Sequence, residues 1–352
     1  FRRTIHRVKV LRGTVARVQA QPNAYRSLEW TSQACLGVRV GPRWQSSSSP
    51  ISIPAVVVGA GQSGVATSYY LSEAGVQHVV LEADPEPGNS WRKLRWDSFR
   101  LVTENSLCNL PDFNFQRYME LKGWPASYAQ DFMSRDEIAQ YVKDFAIEKK
   151  IAVQTGAEVT AVKQAGDGKW FVETSTGPSY VCDNVILCIG PFQGPRLPPV
   201  AAKLPAGVLQ LHSSEYKKPS QLPDGNVLVV GSAQSGTQIA KELCQDGGDR
   251  RTFLAVGKTA LRVPRKVFGR DFTWWLWKTG MYDTSVDDLG DDIWKRRFGP
   301  NPSQAARVDV RLRQLARDYD LQLVGRLEDC QGGVLHIADN LQDSMAAVEA
   351  NV

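Results

Sequence analysis

The residues whose types and spacing could do chemistry first occur in VVVGAGQSG, residues 56–64, and recur in VLVVGSAQSG, residues 227–236. In both places an apolar, β-branched run meets a glycine-punctuated turn that leads into a helix-forming segment. Such a turn cradles phosphate. Gly59 permits the tight bend, Gly61 lets backbone approach a pyrophosphate, and Gly64 lets the helix pack on the strand, while free N–H groups at the helix start face the anion. The next apolar strand, VVLEAD, ends at Glu82, placed to accept hydrogen bonds from a ribose. The first candidate dinucleotide site is therefore Gly59, Gly61, Gln62, Ser63, Gly64 and Glu82. A glycine turn in some other doubly wound sheet is the competing reading.

The second turn supplies Gly231, Ser232, Ala233, Ser235 and Gly236, with Ala233 where a second glycine is usual. Its next strand is TFLAV, residues 252–256, and Lys258 stands where an NAD-preferring site places a carboxylate. Arg262, Arg265 and Lys266 follow closely. Positive charge there suits the 2′-phosphate of NADP. Cations on a solvated surface after a strand are the plainer alternative.

The rest of the chain must position these turns. Its 352 residues hold two nucleotide-sized domains with a large core. Residues 151–190 alternate as short strands, VQTGAEVTAV, KWFVETST and VILCIG, which predict an antiparallel meander returning to the first sheet. The proline-rich GPFQGPRLPPVAAKLP crosses to the second unit. The expected division is a leader over 1–50, a first nucleotide domain over 51–195 and a second over 196–352. Trp274, Trp275 and Trp277 read as packing on one short helix.

Charge separates the leader from the remainder. The net charge is +5, of which residues 1–50 supply +8 through eight arginines and Lys9 against Glu29. Phe1, Ile5, Val8, Leu11, Val15 and Val18 recur at helical spacing among those arginines, the composition of an organelle transit peptide. The expected location is a mitochondrion or plastid if the leader acts so, and the cytoplasm otherwise; upstream sequence not belonging to the protein is the other reading, and nucleic acid is not an expected partner. The six cysteines form no C-x-x-C pair and read as buried thiols, which disfavours a disulfide scaffold and a dithiol reductase. No run of about eighteen apolar residues predicts a membrane span, and no metal site is expected.

The ordered set GAGQSG, Glu82, GNSWR, LCNLPDF, SRDEIAQYVKDFA, LHSSEY and GSAQSG resembles the flavin-containing monooxygenase superfamily, especially its plant YUCCA type and bacterial relatives, from residue 54 onward. The resemblance implies a two-dinucleotide-binding α/β flavoprotein fold, two Rossmann-like domains with inserted antiparallel meanders, FAD in the first and NADPH in the second. It adds Ser90, Trp91, Arg92 and Gly190 to the cofactor-binding residues, with Asn89 replacing one glycine of the family's G-G-x-W-R. It implies oxygenation of a small organic substrate with dioxygen through a C(4a)-hydroperoxyflavin; an NADPH-dependent flavin oxidoreductase or oxidase, or an impaired fragment, are the alternatives. It names no catalytic acid or base.

Several positions depart from the family pattern. His212 and Tyr216 of the identifying F-x-G-x-x-x-H-x-x-x-[FYW] remain, but Ala206 and Val208 replace its Phe and Gly, and His212 reads as a structural residue. Val102 stands where animal relatives place an asparagine near the flavin. In relatives the segment after DNLQDSMAAVEANV returns to the FAD domain, so the fold is expected to be C-terminally incomplete. Oligomeric state is not set by the sequence.

Overall fold

The computed structural model describes residues 49–192, 194–246, 249–257, 265–285 and 312–349. The leader, apart from its last two residues, and Lys258 and Arg262 lie outside the described residues. Among those described, 49–87 with 149–189 form one compact unit, and 88–148 with 190–349 form another.

In the first unit the apolar strand β1 (Ile51–Val58) leads through the glycine turn into α1 (Gln62–Glu73) and on to β2 (His78–Leu81). The chain returns after residue 148 as β3 (Val153–Gln154), β4 (Val159–Gln164), β5 (Trp170–Thr174) and β6 (Tyr180–Leu187). The sheet runs β3-β2-β1-β6-β5-β4. β1 is parallel to both β2 and β6, while β4, β5 and β6 are antiparallel neighbours, so the meander does return to the parallel sheet. Ala55, Val56, Val57 and Val58 are all buried because β1 is covered on both faces, which is why it reads as a continuous apolar run without alternation. Val56, Val58, Leu81, Val172, Cys182 and Val185 form its core.

The second unit begins with helices α2 (Ser90–Lys93), α3 (Phe115–Leu121) and α4 (Arg135–Glu148). Its parallel sheet, ordered β11-β8-β7, is built from β7 (Val227–Val230), α5 (Gln234–Gln245), β8 (Thr252–Ala255), the hairpin β9 (Lys266–Val267) and β10 (Arg270–Asp271), α6 (Phe272–Lys278), α7 (Leu312–Tyr319) and β11 (Gln322–Val324), of which β7, β8 and β11 form the sheet. A hairpin, β12 (Leu327–Gln331) and β13 (Val334–Ile337), precedes α8 (Leu341–Glu349). The first three strands of the first unit show the same third-second-first order.

The helical segment 88–148 clusters with the second unit, whereas chain order predicts it in the first domain over 51–195. Aromatic and apolar burial accounts for this within the unit: Trp96 from the insertion packs with Tyr216, Ile239 and Leu243. Helix α4 is fixed at its start by a reciprocal capping box, in which the Glu137 N–H donates to Ser134 Oγ at 3.2 Å and the Ser134 N–H donates to Glu137 Oε2 at 2.7 Å.

Arg265, expected to meet a 2′-phosphate, is instead a structural residue. It is 4% exposed and its Nε lies 2.6 Å from Oδ2 of the equally buried Asp271. Its Nη2 donates to the Val102 carbonyl at 2.8 Å, and its guanidinium lies 3.9 Å from the centre of the Phe132 ring. The tight β9–β10 hairpin folds Asp271 back onto it, a closure that linear sequence does not display. Asp271 also accepts from the Thr273 N–H and hydroxyl, so the same carboxylate caps α6. Removing the cation strands a buried carboxylate. Arg265→Ala is expected to lower unfolding free energy by about 3–5 kcal/mol, read from urea denaturation; a loss under about 1 kcal/mol would contradict the assignment.

Candidate dinucleotide-binding turns

The two turns have nearly the same backbone. Gly59 and Gly231 open them at φ +96° and +105°, in the left-handed region that favours glycine. Gly61 at φ −70°, ψ −179° and Ala233 at φ −71°, ψ −178° occupy matching places before α1 and α5. A Cβ on Gly64 would lie 1.8 Å from the Gly59 carbonyl oxygen, and one on Gly236 would lie 1.9 Å from that of Gly231. The doubled sequence pattern is therefore a doubled geometry.

Gly61 differs from its neighbours in having no internal reason to be glycine. Its φ suits any residue, and a Cβ there would meet nothing within 4 Å. The space over it opens at the start of α1, where neither turn has a side-chain cap and the first N–H groups lack helical partners. An anion fits such a place. The backbone-lined cradle thus fits the pyrophosphate of FAD, and Gln62 and Ser63, both exposed, border it. Ala233 occupies the matching place in the second unit and narrows that cradle by one methyl group.

Glu82 is held in readiness at the end of β2. Its Oε2 accepts from the Ala60 N–H at 2.6 Å and its Oε1 from the Asp84 N–H at 2.9 Å. Its own N–H donates to Gln154 O, and its carbonyl accepts from Ala157 N–H. Each carboxylate oxygen keeps a further lone pair for a ribose hydroxyl. The Ala60 contact escaped the sequence reading because any residue can supply a backbone N–H.

The remaining expected residues are distributed more widely. Ser90, Trp91 and Arg92 lie on α2, in the second compact unit; Arg92 Nε pairs with Asp136 at 3.1 Å and its Nη2 reaches Gln140 at 3.5 Å. Gly190 is exposed at φ +72°, also in that unit. Ser232 is buried, its Oγ accepting from the Gly257 N–H at 3.3 Å, which ties the second turn to the end of β8. Ser235 is exposed at the start of α5. His212 Nδ1 lies 2.8 Å from Ser214 Oγ and accepts from the Ser214 N–H at 3.3 Å, which organises a turn, while Tyr216 donates to Glu242 at 2.9 Å and ties that segment to α5. Of the three tryptophans, Trp275 is pinned by its Nε1 donating to Val267 O, whereas Trp277 is half exposed.

Comparison with known proteins agrees with this geometry. A family model described as pyridine nucleotide-disulphide oxidoreductase matches residues 56–259. An uncharacterized CzcO-like oxidoreductase of Geobacillus kaustophilus is 33% identical over 82% of this chain and 77% of its own length. Indole-3-pyruvate monooxygenase YUCCA1 of Oryza sativa is 30% identical over 61% of this chain and 50% of its own. The chain belongs to the pyridine nucleotide-disulphide oxidoreductase family and to the flavin monooxygenase superfamily. A solved flavin-containing monooxygenase from Stenotrophomonas maltophilia, 20% identical, shares the fold at a TM-score of 0.52 over 80% of each chain. The chain spans about three quarters of the first relative and half of the second.

The thiols of this family member are not arranged for dithiol chemistry among the described residues. Cys108, Cys182, Cys188, Cys244 and Cys330 are all free. Burial and the nearby Glu104 push the Cys108 thiol up to about 12, and burial with Asp183 pushes Cys182 up to about 11. Both stay protonated and poorly nucleophilic at neutral pH.

The glycines yield a paired prediction. Gly64→Ala drives a methyl into the Gly59 carbonyl and should cost about 1–3 kcal/mol or more. Gly61→Val should leave folding within about 1 kcal/mol while the protein purifies with little flavin. Thermal melts and visible flavin absorbance separate the two; a Gly61→Val protein carrying full flavin would contradict the cradle.

Proposed function

We propose that this chain is an FAD- and NADPH-dependent monooxygenase acting on a small organic molecule with dioxygen. The observation that carries the reading is the doubled turn, with matching dihedrals and a cradle at each helix start. Two nucleotide sites in one chain suit transfer of reducing equivalents from one nucleotide to the other. Bound FAD would supply the redox and oxygen-activating chemistry, and NADPH the hydride.

The chain's own residues bind and orient. The N–H groups at the start of α1 hold a pyrophosphate over Gly61, and Glu82, fixed by the Ala60 and Asp84 N–H groups, orients the ribose. The start of α5 does the same over Ala233, with a methyl group that keeps the phosphate slightly farther away. That difference suits a retained prosthetic group at the first turn and an exchanging nucleotide at the second. Lys258 with Arg262 is the proposed 2′-phosphate contact; Arg265 is excluded by its burial with Asp271. Among the described residues the cysteines are all free, and burial holds Cys108 and Cys182 protonated, which favours oxygen over a disulfide as the electron acceptor.

Val102 favours a second reading, an NADPH oxidase that releases peroxide. Its side chain offers no hydrogen bond, where animal relatives place an amide. For location, we propose that the basic leader directs the chain to an organelle; a fusion of residues 1–50 to a fluorescent protein that stays cytosolic would refute this.

Purified FAD-loaded protein should oxidise NADPH only when oxygen is present, and prefer NADPH to NADH by about tenfold to a hundredfold, the worth of one charge-assisted phosphate contact. Lys258→Ala with Arg262→Ala should erase that preference. Oxygen-independent turnover with a disulfide, or a preference untouched by both substitutions, would count against the proposal. Peroxide released in full proportion to NADPH with every substrate tried would select the oxidase reading.

A further inference from the structure

Arg95 in the second unit is placed in an unusual setting. Its guanidinium carbon lies 5.4 Å from the ring centres of Trp91 and Phe99 and 4.8 Å from that of Phe192. Three rings therefore surround the cation within cation–π range. Among the described residues its side chain makes one hydrogen bond, from Nη1 to the carbonyl of the preceding Leu94 at 3.1 Å. Among the described residues no carboxylate pairs with it, and most of its N–H donors meet no acceptor.

The neighbouring cations, by contrast, are engaged by carboxylate and backbone oxygens. Arg135 Nη1 pairs with Asp97 at 2.8 Å and donates to the Arg95 carbonyl at 2.9 Å. Lys217 Nζ donates to the carbonyls of Lys93, Arg95 and Ser214. These bonds clamp the chain on both sides of Arg95 and hold its side chain against the rings. Burial lowers the Arg95 guanidinium from its ordinary value, and burial, then Arg135, lowers the Lys217 ammonium against the opposing pull of Asp97. A half-buried guanidinium that is desolvated, immobilised and short of acceptors is built to receive an oxyanion. Phe192, 62% exposed, offers an aromatic face beside it for the body attached to that anion.

We infer that Arg95, with Trp91, Phe99 and Phe192, forms a binding site for the oxyanion of a ligand, a carboxylate or a phosphate. The site goes beyond the proposed monooxygenase activity and needs no turnover to be observed, so its failure and that of the activity are separable. The anion has two possible sources, the phosphate of a nucleotide or the carboxylate of an organic acid carrying an apolar body.

The test is calorimetric titration of the FAD-loaded protein with inorganic phosphate, 2′,5′-ADP and phenylacetate. The wild type should bind at least one of them saturably, and Arg95→Ala should weaken that binding about tenfold to a hundredfold. Arg95→Lys keeps a charge over the rings but loses the planar fork, and should weaken binding by about threefold or more. It carries the test alone if Arg95→Ala does not fold. Arg95-dependent binding of phosphate and 2′,5′-ADP identifies a nucleotide phosphate as the source, and Arg95-dependent binding of phenylacetate identifies an organic acid. Wild-type protein that binds none of the three, or variants that bind as tightly as the wild type, would overturn the inference.

Discussion

The approach of a helix backbone to the turn that precedes it is the constraint on which the rest depends. At Gly64 and again at Gly236 there is room for a hydrogen and not for a methyl, because the carbonyl of the turn's first glycine would lie under 2 Å from any Cβ. That closeness draws the start of each helix over the end of its strand. The first N–H groups of each helix then lie at its turn, and in the first unit the last residues of β1 are buried between layers. In the first unit the same turn offers the Ala60 N–H that holds Glu82 at the end of β2.

What the sequence displays well is what this junction demands. Glycine at 59 and 64 and an apolar run before them are local requirements with few substitutes, and the repeat at 227–236 carries the same ones at Gly231 and Gly236, with Ala233 in the place of Gly61. The meander of β4, β5 and β6 is legible for a similar reason, since short alternating strands around AGDG have few other uses. Less legible is anything decided by chain reversal. Lys258, Arg262 and Arg265 look alike in sequence, yet the β9–β10 hairpin brings Asp271 onto Arg265 and makes it a strut. The helices of 88–148 likewise follow their aromatic burial into the second unit, although the chain order suggests the first. The setting of Arg95 is not legible in sequence because Phe192 reaches its guanidinium from almost a hundred residues away.

The difference between the two turns is small in atoms and suited to two duties. Matching dihedrals at Gly61 and Ala233 mean that the substitution leaves the backbone undisturbed, and only the depth of the cradle changes. Hydrogen-bond donors fixed in the backbone need no rearrangement when an anion arrives, so a shallower cradle weakens binding without removing it. A chain that must keep one nucleotide and exchange another can use the same device twice with one methyl between them.

The central claim is that both turns hold pyrophosphate on backbone N–H groups. A crystal structure of the protein with FAD and NADP tests it most directly. The account predicts one pyrophosphate within about 2.7–3.2 Å of the N–H groups at the start of α1, over Gly61, and a second, similarly bound at the start of α5, over Ala233. A nucleotide bound with its pyrophosphate away from either helix start would contradict it.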